Sequence, residues 1–317
     1  MTVRLFIDGA AGTTGLEIRD RLEKCNGITV ATLDAAKRKD TAARKAALND
    51  ADIVILCLPD AAARQAVSLI ENPKVRIIDA SSAHRVAEGW TYGFAELEKQ
   101  RRDELRIAKR VSNPGCYPTG FLALIRPLIR EGIVPLDFPI ICNAVSGYSG
   151  GGREMIAEFE SENATNYTRE IFRIYGLQLE HKHVPEMQVH SGLAHRPVFT
   201  PGVGRFYRGE LVEVPLQLWA LPQNPSVQSI HEALADHYRN EALIDVASLG
   251  DSAARRTLNA EELRKTDRMR LYVFGNQALR QVLLVAVLDN LGKGAAGACV
   301  QNVNAMLGWP ETLGLVV

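Results

Sequence analysis

Apolar and polar positions change their period along the chain. Early on, short and nearly continuous apolar runs (Val3–Asp8, Ile28–Leu33, Ile53–Leu56 and Arg76–Asp79) alternate with stretches of helical spacing. Thr14–Lys24 turns Leu16, Ile18 and Leu22 to one side, and Ala61–Ile70 is a second stretch of this kind. Continuous apolar strands separated by helices predict a parallel sheet covered on both faces. That is the doubly wound arrangement, with right-handed crossovers. Later the period falls to two. Leu211–Trp219 places Val212, Val214, Leu216 and Leu218 on one face and Glu213 and Gln217 on the other. Met269–Phe274 and Gln281–Leu288 predict two more strands, joined by a turn at Gly275–Asn276. Long strands with few helices between them predict a mixed or antiparallel sheet with one wetter face. Gly297–Leu307 carries Cys299, Val300, Val303 and Leu307 at amphipathic helical spacing. Residues 251–268 (DSAARRTLNAEELRKTDR) read as an exposed, charged connection.

The length of 317 residues corresponds to about two domains. Lys+Arg and Asp+Glu are 37 each, so the net charge is zero and no global field draws in a nucleic acid or an anionic membrane. Any anion the protein handles must be met by local groups. The apolar run in MTVRLFIDGAAG is too short for a signal h-region. No apolar stretch approaches the ~20 residues that cross a bilayer. The five cysteines are odd in number, widely spaced and without a CxxC pair, which argues against disulfides and zinc and for reduced thiols in a cytoplasmic protein.

Three segments carry chemistry. Asp8-Gly9-Ala10-Ala11-Gly12-Thr13-Thr14-Gly15 follows the first strand and opens a helix. Its glycines let backbone N–H groups approach a phosphate at the positive end of the helix dipole, which predicts dinucleotide binding through Gly9, Gly12, Thr13, Thr14 and Gly15. At the end of the second strand, Asp34 would accept from a ribose hydroxyl, as in NAD sites. Lys37, Arg38 and Lys39 would neutralise a 2′-phosphate, as in NADP sites, or merely solvate a loop, so the choice of cofactor stays open here.

In Val111-Ser112-Asn113-Pro114-Gly115-Cys116-Tyr117-Pro118-Thr119-Gly120, the Asn-Pro-Gly turn precedes an apolar-periodic helix running from Phe121 to Ile129. Cys116 therefore lies at or just before a helix N-terminus, where the dipole favours a thiolate, the form that attacks an acyl centre. Cys25, Cys57, Cys142 and Cys299 read as small buried residues. Glu180-His181-Lys182-His183-Val184-Pro185-Glu186 supplies two imidazoles two residues apart, which share a face on an extended backbone. One would exchange protons with the thiol or an intermediate while the other binds substrate. A metal site is not expected, for want of further ligands. His84, His190, His195, His231 and His237 have no comparable context. Residues from Val145 to Arg153 form a small-residue stretch after the strand Ile140–Ala144 that ends in a cation, either a nest suited to a carboxylate or phosphate or a flexible linker. Ser81-Ser82-Ala83-His84-Arg85 follows the fourth strand, where doubly wound sheets bind ligands.

GAAGTTG, SNPGCYPTG, VSGYSGGGR, EHKHVPE and DNLGKGAAGACVQNVN together resemble the N-acetyl-γ-glutamyl-phosphate reductases of arginine biosynthesis, in their shorter form. The wider family includes the aspartate-semialdehyde dehydrogenases, with which the glycine loop and the DNLGKGAAG segment are shared. The resemblance implies an α/β Rossmann-type NADP domain over residues 1–115, completed by the C-terminal segment 290–317. It also implies a second, α+β domain on a mixed sheet over 116–289 that carries catalysis and homodimer or homotetramer contacts.

The implied reaction is NADPH-dependent reduction of N-acetyl-γ-glutamyl phosphate to the semialdehyde with release of phosphate, through a thioester on Cys116. His183 would be the acid/base and His181 would orient substrate. Arg85, Ser146, Arg153 and Asn113 would hold the substrate, and Ser81, Ser82 and Asn290 would join the glycine loop around NADP. The alternatives are aspartate-semialdehyde dehydrogenase or another acyl-phosphate reductase. A non-catalytic NADP-binding regulator and a His-based metal hydrolase are further alternatives from other classes.

Overall fold

The computed structural model describes residues 2–317 and divides the chain into two compact units, one of residues 1–115 with 295–316 and one opening at Cys116 and running to Gly294. The first holds a six-stranded sheet of β1 (Val3–Asp8), β2 (Ile28–Ala31), β3 (Ile53–Leu56), β4 (Arg76–Asp79), β5 (Thr91–Tyr92) and β6 (Arg110–Ser112). The strand order is β2-β1-β3-β4-β6-β5 and every pairing is parallel. Helices α1 (Thr13–Leu22), α2 (Thr41–Asp50), α3 (Asp60–Ser68) and α4 (Arg101–Ile107) join these strands.

Successive side chains of a strand point to opposite faces, and the core follows that rule. Leu5 and Ile7 pack with Ile18, Leu22, Val300 and Val303. Phe6, between them, packs with Leu48, Val54, Leu56 and Ala63 on the other side. Both faces are covered, which is why the strands read as continuous apolar runs. The C-terminal helix Gly297–Leu307 closes the first of these faces. Its buried Asn302 donates to the Gly93 carbonyl and to Asn113 Oδ1, and Arg76 binds the carbonyls of Leu105, Arg106, Ala108 and Met306.

The second unit is built on a seven-stranded mixed sheet of β7 (Ile141–Gly147), β8 (Phe172–Ile174), β9 (Val198–Gly204), β10 (Glu210–Gln217), β11 (Ile244–Val246), β12 (Met269–Asn276) and β13 (Gln281–Leu288). They run in the order β11-β12-β13-β10-β7-β9-β8. Strands β7 with β9 and β11 with β12 pair in parallel and the rest antiparallel. The helices are α5 (Cys116–Arg130), α6 (Gly152–Glu160), α7 (Val184–Ser191), α8 (Val227–His237) and α9 (Leu249–Ala254). Helix α5 lies on the sheet's inner face, and at Gly120 a Cβ would fall 2.7 Å from Val212 Cγ2, so glycine sets how closely helix and strand approach.

The expectation of one wetter face holds along β10 and the start of β13, where Pro215, Gln217 and Gln281 are exposed. Toward β12, Ala247, Tyr272, Val285 and Val287 form a second apolar cluster on that face, with Leu258 and Leu263 packed on it. Those leucines belong to the 251–268 segment, which therefore also covers apolar surface. Arg255 chelates Glu262 at 2.7 and 2.8 Å and lies over the Tyr272 ring, whose hydroxyl also donates to Glu262. Arg255 and Glu262 thus pair over the apolar cover, while Asp251, Arg256, Arg264 and Lys265 are exposed as expected.

Candidate active site

In the first unit the glycine loop is shaped by close backbone contacts. Gly9 has φ +90°, and a Cβ there would meet the Cys57 carbonyl oxygen at 2.2 Å; at Gly15 it would meet the Gly9 oxygen at 2.5 Å. Gly12 caps α1 without a side chain, and no acidic residue stands in the first turn. The first helical bond runs from the Leu16 N–H to the Gly12 carbonyl, so the N–H groups of Thr13, Thr14 and Gly15 are the usual unpaired donors of a helix start. This cradle fits a dinucleotide pyrophosphate.

The nearby polar residues are tied to the protein itself. Ser81 donates to Asp79 and Ser82 to Asp60. Asn113 is buried, gives its amide hydrogen to the Ala295 carbonyl at 3.0 Å and accepts from Asn302. Buried Arg85 donates to the Asn113 and Ala80 carbonyls. His84, which showed no context in the sequence, lies 2.6 Å from Asp79 and stacks on Trp90 at 4.1 Å. Asp34 accepts the Lys37 N–H at 2.9 Å, forming a turn that displays Lys37 and Arg38 to solvent.

The second unit brings the chemistry-bearing residues together. Cys116 is the first residue of α5 and is partly exposed. Of the other four cysteines, Cys25, Cys142 and Cys299 are buried as expected, whereas Cys57 is partly exposed. Burial pushes Cys25, Cys142 and Cys299 up, and Cys57 up to about 12, where Asp79 and Asp8 add to the effect.

Tyr117 is buried and donates to the Gly202 carbonyl at 2.8 Å, with Ser146 Oγ at 3.0 Å and the Tyr175 hydroxyl at 3.5 Å. Burial drives the Tyr117 phenol well above its ordinary range and Tyr175 to about 12, so both stay protonated. The Tyr117 ring stands edge-on to His183 and His181, with centroids at 5.8 and 6.2 Å. The two imidazoles are 4.7 Å apart. They do not share a face of extended backbone, as the spacing predicted. His183 is instead the N-cap of α7 in helical backbone conformation, and its N–H donates to His181 Nδ1 at 3.1 Å. A tight turn before Pro185, not strand alternation, folds the rings together. With Nδ1 accepting, a neutral His181 carries its proton on Nε2.

Buried Ser146 sits on β7 beside Tyr117, whereas Arg153 is exposed on α6. Asn290 is in this unit, and both ends of its amide are committed: Oδ1 accepts the Gly209 N–H at 2.8 Å and Nδ2 donates to Ser149 at 3.0 Å. Asp289 receives buried Arg208 at 2.6 Å together with the N–H groups of Leu291 and Gly292. This fixes the turn that brings Gly294 against Cys116, where a Cβ would fall 2.8 Å from Cys116 Cβ. Glu210, which drew no attention in the sequence, opens β10 fully buried, and its carboxyl meets the Cys116 thiol. A signal was present: carried back two residues, the buried alternation of Val212, Val214 and Leu216 places a carboxylate on the apolar face. Among the described residues no group of three or more His, Cys, Asp or Glu is arranged to hold a metal, and no helix is long and apolar enough to cross a membrane.

Residues 4–105 match the family described as semialdehyde dehydrogenase, NAD binding domain, and residues 116–290 that described as semialdehyde dehydrogenase, dimerisation domain. The chain is 52% identical to the N-acetyl-gamma-glutamyl-phosphate reductase of Trichormus variabilis, over 98% of this chain and 99% of that one. It is 51% identical to the reductase of the same name from Burkholderia cenocepacia, over 96% and 97%. Among solved structures, a probable aspartate-semialdehyde dehydrogenase from Pseudomonas aeruginosa superposes with a TM-score of 0.74 over 97% of this chain and 99% of that one, at 15% identity, a likeness of fold.

Proposed function

The chain belongs to the semialdehyde dehydrogenase family, in the branch of the N-acetyl-gamma-glutamyl-phosphate reductases, and from that premise we propose that it reduces N-acetyl-γ-glutamyl phosphate to the semialdehyde with NADPH. The observation that carries the reading is Cys116 at the start of a 15-residue helix, followed by Tyr117, whose ring meets those of His181 and His183.

At a helix start the thiolate is favoured over the thiol. The Cys116 sulfur attacks the acyl carbon, a C–S bond forms, and the C–O bond to phosphate breaks with its electron pair on the departing oxygen. NADPH held by the loop from Gly9 to Gly15 would supply a hydride to the thioester carbon. The carbonyl oxygen would then carry the negative charge, and its collapse would break the C–S bond to release aldehyde and the Cys116 thiolate. His183 is the acid/base that carries protons to and from the reacting oxygens. His181, its Nδ1 held by the His183 N–H, presents Nε2–H to a substrate oxygen. Ser146, Arg85 and Arg153 hold the phosphate and carboxylate of the substrate. Asn113, Asn290, Ser81 and Ser82, whose polar atoms are tied to other groups of the chain, shape the loops around cofactor and substrate.

The fit of the glycine cradle to a pyrophosphate supports a dinucleotide, and the Asp34 turn that displays Lys37 and Arg38 supports the 2′-phosphate of NADP. Self-association through the second unit is supported by the apolar residues Ile171, Phe172 and Ile174, exposed along edge strand β8. The test is turnover with NADP, phosphate and either N-acetylglutamyl or aspartyl semialdehyde. Preference for the aspartyl compound rejects the substrate, and a Cys116→Ser variant that keeps most of its turnover rejects the covalent route.

A further inference from the structure

Glu210 is the first residue of β10, paired with Ser146 on β7 and Leu288 on β13, and no part of it reaches solvent. Neither carboxyl oxygen has a hydrogen-bond partner among the described residues, an arrangement that is costly for a buried polar group. What faces it is the Cys116 thiol. Two chain geometries enforce that meeting. Gly120 of α5 rests on Val212 of β10. One helical turn back along α5, roughly 6 Å, lies Cys116; two residues back along β10, roughly 6.6 Å on the same face, lies Glu210. Helix and strand advance in step, so the nucleophile and the carboxyl are brought opposite each other.

We propose that Glu210 is the proton partner of Cys116: the S–H bond breaks and an O–H bond forms on the carboxylate when the nucleophile is made, and the proton returns to sulfur when the thiol is restored. The proposal deepens the reading of Cys116 as the nucleophile. The transfer moves one proton between two groups and creates no net charge in a dry site. Around the carboxyl the titratable neighbours are Cys116 and Tyr117 from α5, Tyr175 after β8, Cys142 on β7, and Asp289 after β13, the last neutralised by Arg208. Tyr117, Tyr175 and Cys142 are held in their neutral forms, so the carboxyl and the sulfur are left to exchange the proton. Burial pushes Glu210 up to about 8, opposed by the neighbouring Cys116 thiol and helped by Asp289. Groups coupled in this way titrate as a pair, in two macroscopic steps.

The test reads thiol reactivity rather than turnover. Alkylation of Cys116 by iodoacetamide, followed on the Cys116 peptide by mass spectrometry, is measured against pH in the full-length protein and in Glu210→Gln. The wild type is expected to react in two spread steps and the variant in one. Between the two wild-type steps the variant reacts faster, by about tenfold for each pK unit of coupling. Superimposable profiles overturn the proposal. A second measurement needs no variant. In wild-type protein with carbon-13 at the glutamate carboxyls, capping Cys116 with methyl methanethiosulfonate removes the S–H donor and is expected to raise the midpoint of the one high-titrating glutamate; an unmoved midpoint overturns the proposal. Should Cys116→Ser stay active while the coupling is observed, it is the covalent mechanism that fails. Should Cys116→Ser be inactive and the coupling absent, only the role of Glu210 fails.

Discussion

Gly120 and Val212 touch so closely that a single methyl group on the glycine would fall 2.7 Å from Val212 Cγ2. That contact seats α5 on β10 and thereby sets where Cys116, four residues earlier on the same helix face, stands relative to Glu210. Gly120→Ala is expected to lift the start of the helix. Overpacking of this kind costs about 1–3 kcal/mol, and a displacement of roughly 1 Å at a reacting group costs on the order of a hundredfold in rate. Thermal unfolding and kcat/KM measure the two effects separately. Wild-type turnover in Gly120→Ala would show that the seat does not position the sulfur.

The buried carboxyl of Glu210 links stability to pH. Unfolded, it ionises near its ordinary value of 4.5; folded, it keeps its proton until about 8. Between these values the unfolded state binds fewer protons, so stability declines as pH rises and levels off above the folded value. Glu210→Gln removes that slope. The difference in denaturation free energy between variant and wild type is expected to grow in the variant's favour by a few kcal/mol, to order of magnitude, across that window. Parallel urea titrations at both ends of the range check it, and a constant difference would contradict a raised carboxyl.

Asp289 gathers Arg208 and the backbone N–H groups of Lys265, Leu291 and Gly292 in a site closed to water. Asp289→Ala leaves the guanidinium charge buried beside an emptied space, and breaking such a pair costs about 3–5 kcal/mol. The turn that seats Gly294 against Cys116 loosens as well. A lowered denaturation midpoint together with lost activity is the expected outcome, whereas an unchanged midpoint would mean that the pair contributes nothing to the second unit.

Lys37 and Arg38 are predicted to select the phosphorylated dinucleotide. Replacing both with alanine should raise the KM for NADP roughly tenfold, about 1.4 kcal/mol, and leave that for NAD unchanged. High salt should narrow the wild-type preference, because exposed charges are screened. Equal losses for the two dinucleotides would assign the trio to solvation alone.

How much of this was legible beforehand depended on how local its cause was. Leu5, Phe6 and Ile7 declare a strand buried on both faces through their own succession, and Gly9, Gly12 and Gly15 declare a tight turn because nothing larger avoids the Cys57 and Gly9 carbonyls. Cys116 declares a helix start through the Asn-Pro-Gly turn before it. The His181–His183 arrangement escapes period-two reasoning, which presumes extended backbone, because the helix that begins at Val184 folds His183 back onto His181. The 251–268 segment is exposed over much of its length, but its two leucines, sparse in sequence, meet one apolar cluster only in space, with Arg255 and Glu262 paired over it.

Strand and helix identity, the phosphate-suited loop and the helix-start cysteine were thus determined by the sequence alone, since each rests on backbone sterics and hydrogen bonding within a few residues. The partners of Cys116 and Asp289, the commitment of Asn113 and Asn290 to their own loops, and the sealing of Glu210 were decided only by tertiary structure. Each joins segments far apart along the chain, and a carboxyl behaves as a solvated charge or a stranded proton carrier according to what packing leaves around it.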